Sequence, residues 1–197
     1  MEKLHWPSVA DNLRRSGEDW ENEALFSAPL HGFCFYATSY KEAADSVVEA
    51  VESGDAKPDL VCYAVFYLYH HFLELMLKGI ILLQCQHEGT ERPYRKTEHN
   101  IDTLWALCRQ VLEEVFPEGE KSETDAVERC IKQFASVDRS GELGRYPVTQ
   151  YGNLSFQKTV QLNLRNLREM MTRLNGFLSA SYDALDELNS HVPTDGY

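Results

Sequence analysis

Clustered glycine is missing from this 197-residue chain. Its eleven glycines are scattered, and no strand–helix alternation surrounds them. That excludes a Walker-type phosphate loop and a dinucleotide fingerprint. Paired cysteine is missing too. Cys34, Cys62, Cys85, Cys108 and Cys130 are odd in number and far apart, with no Cys-x-x-Cys. Zinc-type pairs and a disulfide framework are therefore not expected, and the thiols read as small apolar core residues. His71-x-x-Glu74 with His99 or His70 is at most a partial ligand set, and the pair of Glu-x-x-His helices that a carboxylate-bridged di-metal bundle requires is not there. Nor does a nucleophile elbow for a Ser–His–Asp hydrolase. No metal and no cofactor are expected. Basic charge is scarce: 19 Lys plus Arg against 31 Asp plus Glu gives −12. Broad, non-specific nucleic-acid affinity is disfavoured by that balance, which leaves room only for a focused basic cleft. The first twenty residues lack an apolar signal core, so a cytoplasmic location is expected. One apolar run, 60–83, is long enough to suggest a membrane span, but it contains His70, His71, Glu74 and Lys78. A charge at the bilayer centre costs about 2.5–3.5 kcal/mol even on a lenient scale. The run is expected to be a buried core helix, with no membrane involved.

Apolar residues make up 43% and charged residues 25%, enough to build a folded core. Residues 1–32 carry scattered aromatics without sustained periodicity and are expected to form an arm packed on a helical domain, 33–190. In that domain, Ala43, Ala44, Val47, Val48 and Val51 mark the inner face of a helix over 39–52, stopped by Gly54. Pro58 opens a second helix to about 86, apolar on nearly every side and so surrounded by other helices. Asn100 is the expected N-cap of a third. Ser122, with Asp125 three residues on, resembles the capping box of a fourth. Turn residues dominate 139–158, where Val148 to Phe156 suits a small hairpin or an extended loop. Leu164, Leu167, Met171, Leu174, Leu178, Tyr182 and Leu185 define a final helix over 162–188, followed by a loose tail at 191–197. The pattern predicts an all-α fold, an antiparallel bundle of four to five long helices with one irregular insertion.

Polar residues interrupt the second helix in a regular way. Tyr67, His71, Glu74 and Lys78 recur at steps of four, three and four, one stripe of an otherwise apolar helix. A charged pair in such a setting needs partners. In one reading Glu74 and Lys78 pair at i, i+4 while Tyr67 and His71 hydrogen-bond across the bundle. In the other, His71 and Glu74 face a cleft where His71 handles protons. His99 stands at the start of the third helix, where it caps, packs or serves chemistry. Arg145, between Gly144 and Tyr146, is either a solvent-facing loop residue or the buried partner of Glu74; the pairing is the one expected, because a guanidinium is preorganised for a carboxylate while the Lys78 ammonium can turn to solvent.

Three segments carry a resemblance. YLYHHFLELMLKGIILL, EHNIDTLW, and FASVDRSGELGRYPVTQYGN followed by VQLNLRNLREMMTRLNGFL are similar, in that order and spacing, to motifs of a bacterial family in the HEPN superfamily. The resemblance spans roughly residues 60–180. It implies an all-α bundle that commonly dimerises and acts in prokaryotic defence, toxin–antitoxin or stress systems. Some members are metal-independent ribonucleases; others bind RNA or act as scaffolds. The superfamily's usual Arg-spacer-His signature is absent from the fourth and fifth helices, and the sole match in spacing is Arg92 to His99. The resemblance therefore implies an RNA- or nucleotide-binding or interaction module, with a ribonuclease as the alternative. As an enzyme it would draw on His71, Glu74, Arg92, His99 and Arg145. Implied partners are a second copy, RNA or nucleotide, and a cognate antitoxin or effector protein.

Overall fold

The structure, a computed structural model, describes residues 6, 9, 20–25, 32–95, 98–149, 151–156 and 158–191. The chain divides into two compact units, 1–30 and 31–197. In the first, Trp20–Asn22 forms a single 3-10 turn. The arm expected over 1–32 otherwise lies almost wholly outside the described residues, as does the tail beyond 191.

The second unit is all-α. Its helices are α1 (Gly32–Ser53), α2 (Pro58–Glu88), α3 (Ile101–Val115), α4 (Lys121–Ala135) and α5 (Leu164–His191). No strand occurs among the described residues; the one β feature is an isolated antiparallel bridge between Val148 and Leu154. α2 is the core element. It packs against α1, α3 and α5, while α3 pairs with α4, and α5 also touches α1 and α4. Tyr69, Phe72, Leu73, Leu77, Ile80 and Ile81 of α2 are fully buried, which explains why its sequence is apolar on every side. By length and composition alone α2 could cross a membrane, but half of its most apolar window is covered by the bundle.

Helix starts depart from expectation in three places, for reasons of packing or capping. α1 begins at Gly32, seven residues before the expected Ser39. Its first turns present Phe33, Phe35 and Tyr36 to solvent, which hides the periodicity, while Ala37 is buried. Cys34 approaches α2 at Gly79, where a Cβ would stand 3.1 Å from the Cys34 Sγ. The capping box expected at Ser122 is not used. α4 starts at Lys121, Glu120 caps it without a side-chain bond, and Asp125 instead binds Arg109 of α3 at 2.7 Å. Arg109 also bonds Glu113 at 2.8 Å and reaches Glu128, tying the α3–α4 hairpin together. α5 starts at Leu164 rather than Leu162, because Asn163 Oδ1 accepts the Asn166 N–H at 3.0 Å as an N-cap. Asn100 does cap α3 as its sequence position predicts, accepting from the N–H groups of Asp102 and Thr103.

Candidate functional site

Glu74 is buried in the middle of α2 and gathers four partners. Its Oε1 accepts from Lys78 Nζ at 2.8 Å and from His99 Nδ1 at 3.0 Å. Its Oε2 faces the Nδ1 atoms of His70 and His71 at 3.9 and 4.0 Å. Lys78 reaches Glu74 because i, i+4 residues share a helix face. His99 reaches it because the Asn100 cap fixes the entry of α3 beside α2. Burial opposes charge on Glu74, but the Lys78 and His99 contacts outweigh it and hold the carboxyl below its usual range. Burial lowers the pKa of His71, and Glu74 offsets this only in part. His70 is pushed down by deeper burial, against the opposing pull of the Arg139 carbonyl, Asp138 and Glu74. Both imidazoles are accordingly neutral near pH 7.

The polar stripe is thus a single face, as its spacing requires. Glu74 pairs with Lys78 within the helix. Among the described residues, Tyr67 and His71 make ring contacts in place of the cross-bundle hydrogen bonds expected of them. Their rings stack with centroids 5.9 Å apart, and Tyr40 of α1 meets His71 edge-on at 4.3 Å.

Arg145 does not pair with Glu74. It is exposed; its Nε donates to the Gly141 carbonyl at 3.1 Å, and its guanidinium lies over the rings of Tyr67 (5.6 Å) and Tyr146 (5.3 Å). The reason is twofold. Lys78 cannot turn to solvent, being only 6% exposed with Tyr94 5.7 Å from its ammonium, so the carboxylate is already satisfied. The turn that carries Arg145 is also fixed independently. Buried Asp138 accepts the backbone N–H groups of Ser140 (3.1 Å), Leu143 (2.8 Å) and Gly144 (3.3 Å). Gly141, at φ +70°, sits against the His70 ring, whose Nε2 donates to the Arg139 carbonyl at 3.2 Å. That same carbonyl accepts the Ile101 N–H at 3.1 Å, so one oxygen ties α2, α3 and the turn.

Of the candidates read from the sequence, the structure brings together His71, Glu74 and His99. Arg92 is exposed and lies 6.0 Å from the Tyr94 ring centroid; among the described residues it makes no ion pair with Glu74. His99 has a half-exposed side chain. Its Nδ1–H donates to Glu74 and leaves Nε2 as the ring nitrogen not engaged with the carboxylate, the way a buried carboxylate orients an imidazole. Among the described residues no group of three or more His, Cys, Asp or Glu side chains is placed to hold a metal ion, and the Lys78 ammonium supplies the positive charge at the carboxylate. Asp138 and Tyr94 went unnoticed as site-forming residues. The spacing Asp138-x-Ser140-Gly141 is that of an Asx turn and could have flagged the first; nothing local marks Tyr94.

A second surface adjoins this cluster through Tyr67. Gly144 lies so close to α2 that a Cβ would stand 3.2 Å from the Tyr63 carbonyl and from the Tyr67 Cβ. Beyond it Val148 and Leu154 form the isolated bridge, with Thr149 N–H bonded to the Asn153 carbonyl at 2.8 Å near a turn at Gly152. Tyr63 and Phe156 are in ring contact at 5.7 Å and border a cavity of about 640 Å³ that Lys158 also lines. Tyr63 and Tyr146 are each 53% exposed and Tyr151 is 81% exposed.

No family model, no curated protein and no solved structure matches the chain.

Proposed function

We propose that this chain is a HEPN-like, non-catalytic module of a prokaryotic defence, toxin–antitoxin or stress system that binds RNA or nucleotide. The observation that carries the reading is the exposed cation–aromatic surface: Arg145 over Tyr67 and Tyr146, beside the Tyr63–Phe156 cavity and Lys158. Aromatic faces stack on any base, and a few cations suffice to hold a backbone locally on an otherwise acidic protein. The module would work as a homodimer or as a subunit beside a cognate antitoxin or effector protein, as the resemblance implies. The test is fluorescence anisotropy with a labelled single-stranded oligouridylate of about twelve nucleotides at low salt. Binding without cleavage is expected, weakened by Tyr146→Ala by about 1–3 kcal/mol, the range for one stacked base. Absence of binding, or binding indifferent to both Tyr146→Ala and Arg145→Ala, overturns the reading.

One observation favours a ribonuclease as the second reading: His99 is half-exposed and oriented by a buried carboxylate. Its Nε2 would take the proton of a ribose 2′-hydroxyl. The 2′-oxygen would then attack the adjacent phosphorus and expel the 5′-oxygen, which takes a proton from water and departs as a 5′-hydroxyl, leaving a 2′,3′-cyclic phosphate, with Arg92 stabilising the phosphate charge. Cleavage in the presence of EDTA that disappears in His99→Ala would establish it.

A further inference from the structure

A trough of about 1300 Å³ runs between α5 and the α3–α4 hairpin and shares no lining residue with the cavity beside Arg145. Leu112, Phe116 and Phe177 line it, and Gly176, Ala180 and Ala184 line it along α5. These three small residues recur every fourth position and so share one face of the helix. Gly176 is the informative one. A glycine inside a helix is less favourable than alanine. It is usually retained because a neighbour needs the space, as Cys34 does at Gly79. At Gly176 a Cβ would meet nothing within 4 Å, and its φ is not in the left-handed region. Neither packing within the described chain nor backbone conformation accounts for it. The vacant approach admits another backbone. The lip of the trough is net acidic: the segment 113–123, EEVFPEGEKSE, has five glutamates and one lysine, and Glu113, Glu120 and Glu123 border the cavity together with Lys121 and Arg173. Glu113 is paired with Arg109, which leaves Glu120 and Glu123 as the carboxylates for a partner's cations.

We infer that the trough is a docking groove for a protein partner presenting an amphipathic helix with a basic polar face. The apolar side of such a helix would lie along the Gly176–Ala180–Ala184 line over Phe116 and Phe177, at the short separation that small residues allow. Its Lys or Arg residues would meet Glu120 and Glu123. Apolar anchors at i, i+4 and i+7 are the usual reading of a helix in a groove. Acidic rims select basic partners and reject acidic ones.

The test uses the full chain and a fluorescein-labelled, 18-residue amphipathic Leu/Lys peptide. A Leu/Glu peptide of the same pattern and a scrambled Leu/Lys peptide serve as controls. Micromolar binding of the amphipathic basic peptide is expected, at least about tenfold tighter than either control. Ala180→Trp, an exposed position that tolerates bulk, should weaken binding about tenfold with helicity unchanged. Glu120→Lys with Glu123→Lys should weaken it comparably. Amide exchange on the unmodified chain gives a readout that does not depend on any variant folding: peptide should protect 112–127 and 173–184. Equal binding of the scrambled peptide, protection elsewhere, or no binding at 100 μM overturns the proposal. So does a dimer of the chain that Ala180→Trp dissociates, which would assign the trough to a second copy.

Discussion

Gly141 is a position where the structure allows only glycine, for two separate reasons. Its φ of +70° is costly for any residue with a Cβ, and that Cβ would stand 2.8 Å from the His70 Nδ1. A left-handed residue costs about 1–2 kcal/mol and overpacking about 1–3. Gly141→Ala is therefore expected to destabilise by about 2–4 kcal/mol in urea unfolding. Gly176→Ala should do the opposite, gaining about 0.4–1 kcal/mol, because its site is open and ordinary in backbone. Glu74 offers a second contrast. Glu74→Gln leaves the Lys78 ammonium buried beside a neutral amide, and breaking a buried pair costs about 3–5 kcal/mol. Replacing both members with apolar residues, Glu74→Leu and Lys78→Met, should cost much less than the sum of the single changes, since no uncompensated charge remains. A double-mutant cycle by chemical denaturation measures this; additivity would mean the two charges are not coupled.

At the scale of elements, the cluster on α2 is what joins that helix to the start of α3 and to the 138–144 turn. His99 bridges to α3 through Glu74, and His70 bridges to the turn through the Arg139 carbonyl. The joint makes stability sensitive to acid. His70 and His71 have native pKa values below the ordinary value of about 6.5. Between the native and the ordinary value the unfolded chain holds protons the folded chain does not, so stability rises with pH there. The contribution is complete above about pH 6.5 and is lost as pH falls through the lowered native values. Glu74, also lowered, adds a further loss below about pH 4.5. The unfolding midpoint should thus be level above about pH 7 and decline below 6.5. His70→Gln, which keeps a donor for the Arg139 carbonyl, should have a lower midpoint but a flatter profile between pH 6.5 and 5. An equally steep profile would place the titration on other groups.

For the bundle as a whole, the distribution of charge and apolar surface matters more than the total of −12. Tyr63, Tyr146, Tyr151 and Arg145 gather around the N-terminal half of α2 and the 145–162 segment, a second exposed aromatic group, Phe33, Phe35 and Tyr36, lies on the first turns of α1, and the acidic lip lies at the α3–α4 end. A two-fold homodimer implied by the HEPN resemblance would bury one such face against its copy. Light scattering at micromolar concentration should then give twice the 22.6 kDa chain mass. A monomer mass in the absence of any partner contradicts the dimer.

Much of the bundle was determined by sequence alone, because its causes are local. Apolar periodicity placed α2 and α5, Pro58 and Gly89 bound α2, and the Asn100 side chain caps α3 within three residues of itself. The Glu74–Lys78 pair is legible in the same way, since i, i+4 positions face each other in any helix. Tertiary structure decided the rest. Whether Glu74 met His99 or Arg145, 25 and 71 positions away, depended on how the Asn100 cap and the Asp138 turn steer their segments. Asp125 has the spacing of a capping-box partner for Ser122, but α3 brings Arg109 within 2.7 Å of it. Local spacing fixes which side chains share a helix face. Which side chain arrives from elsewhere is set by turn geometry and by what the carboxylate has already bound, and neither is written in the spacing.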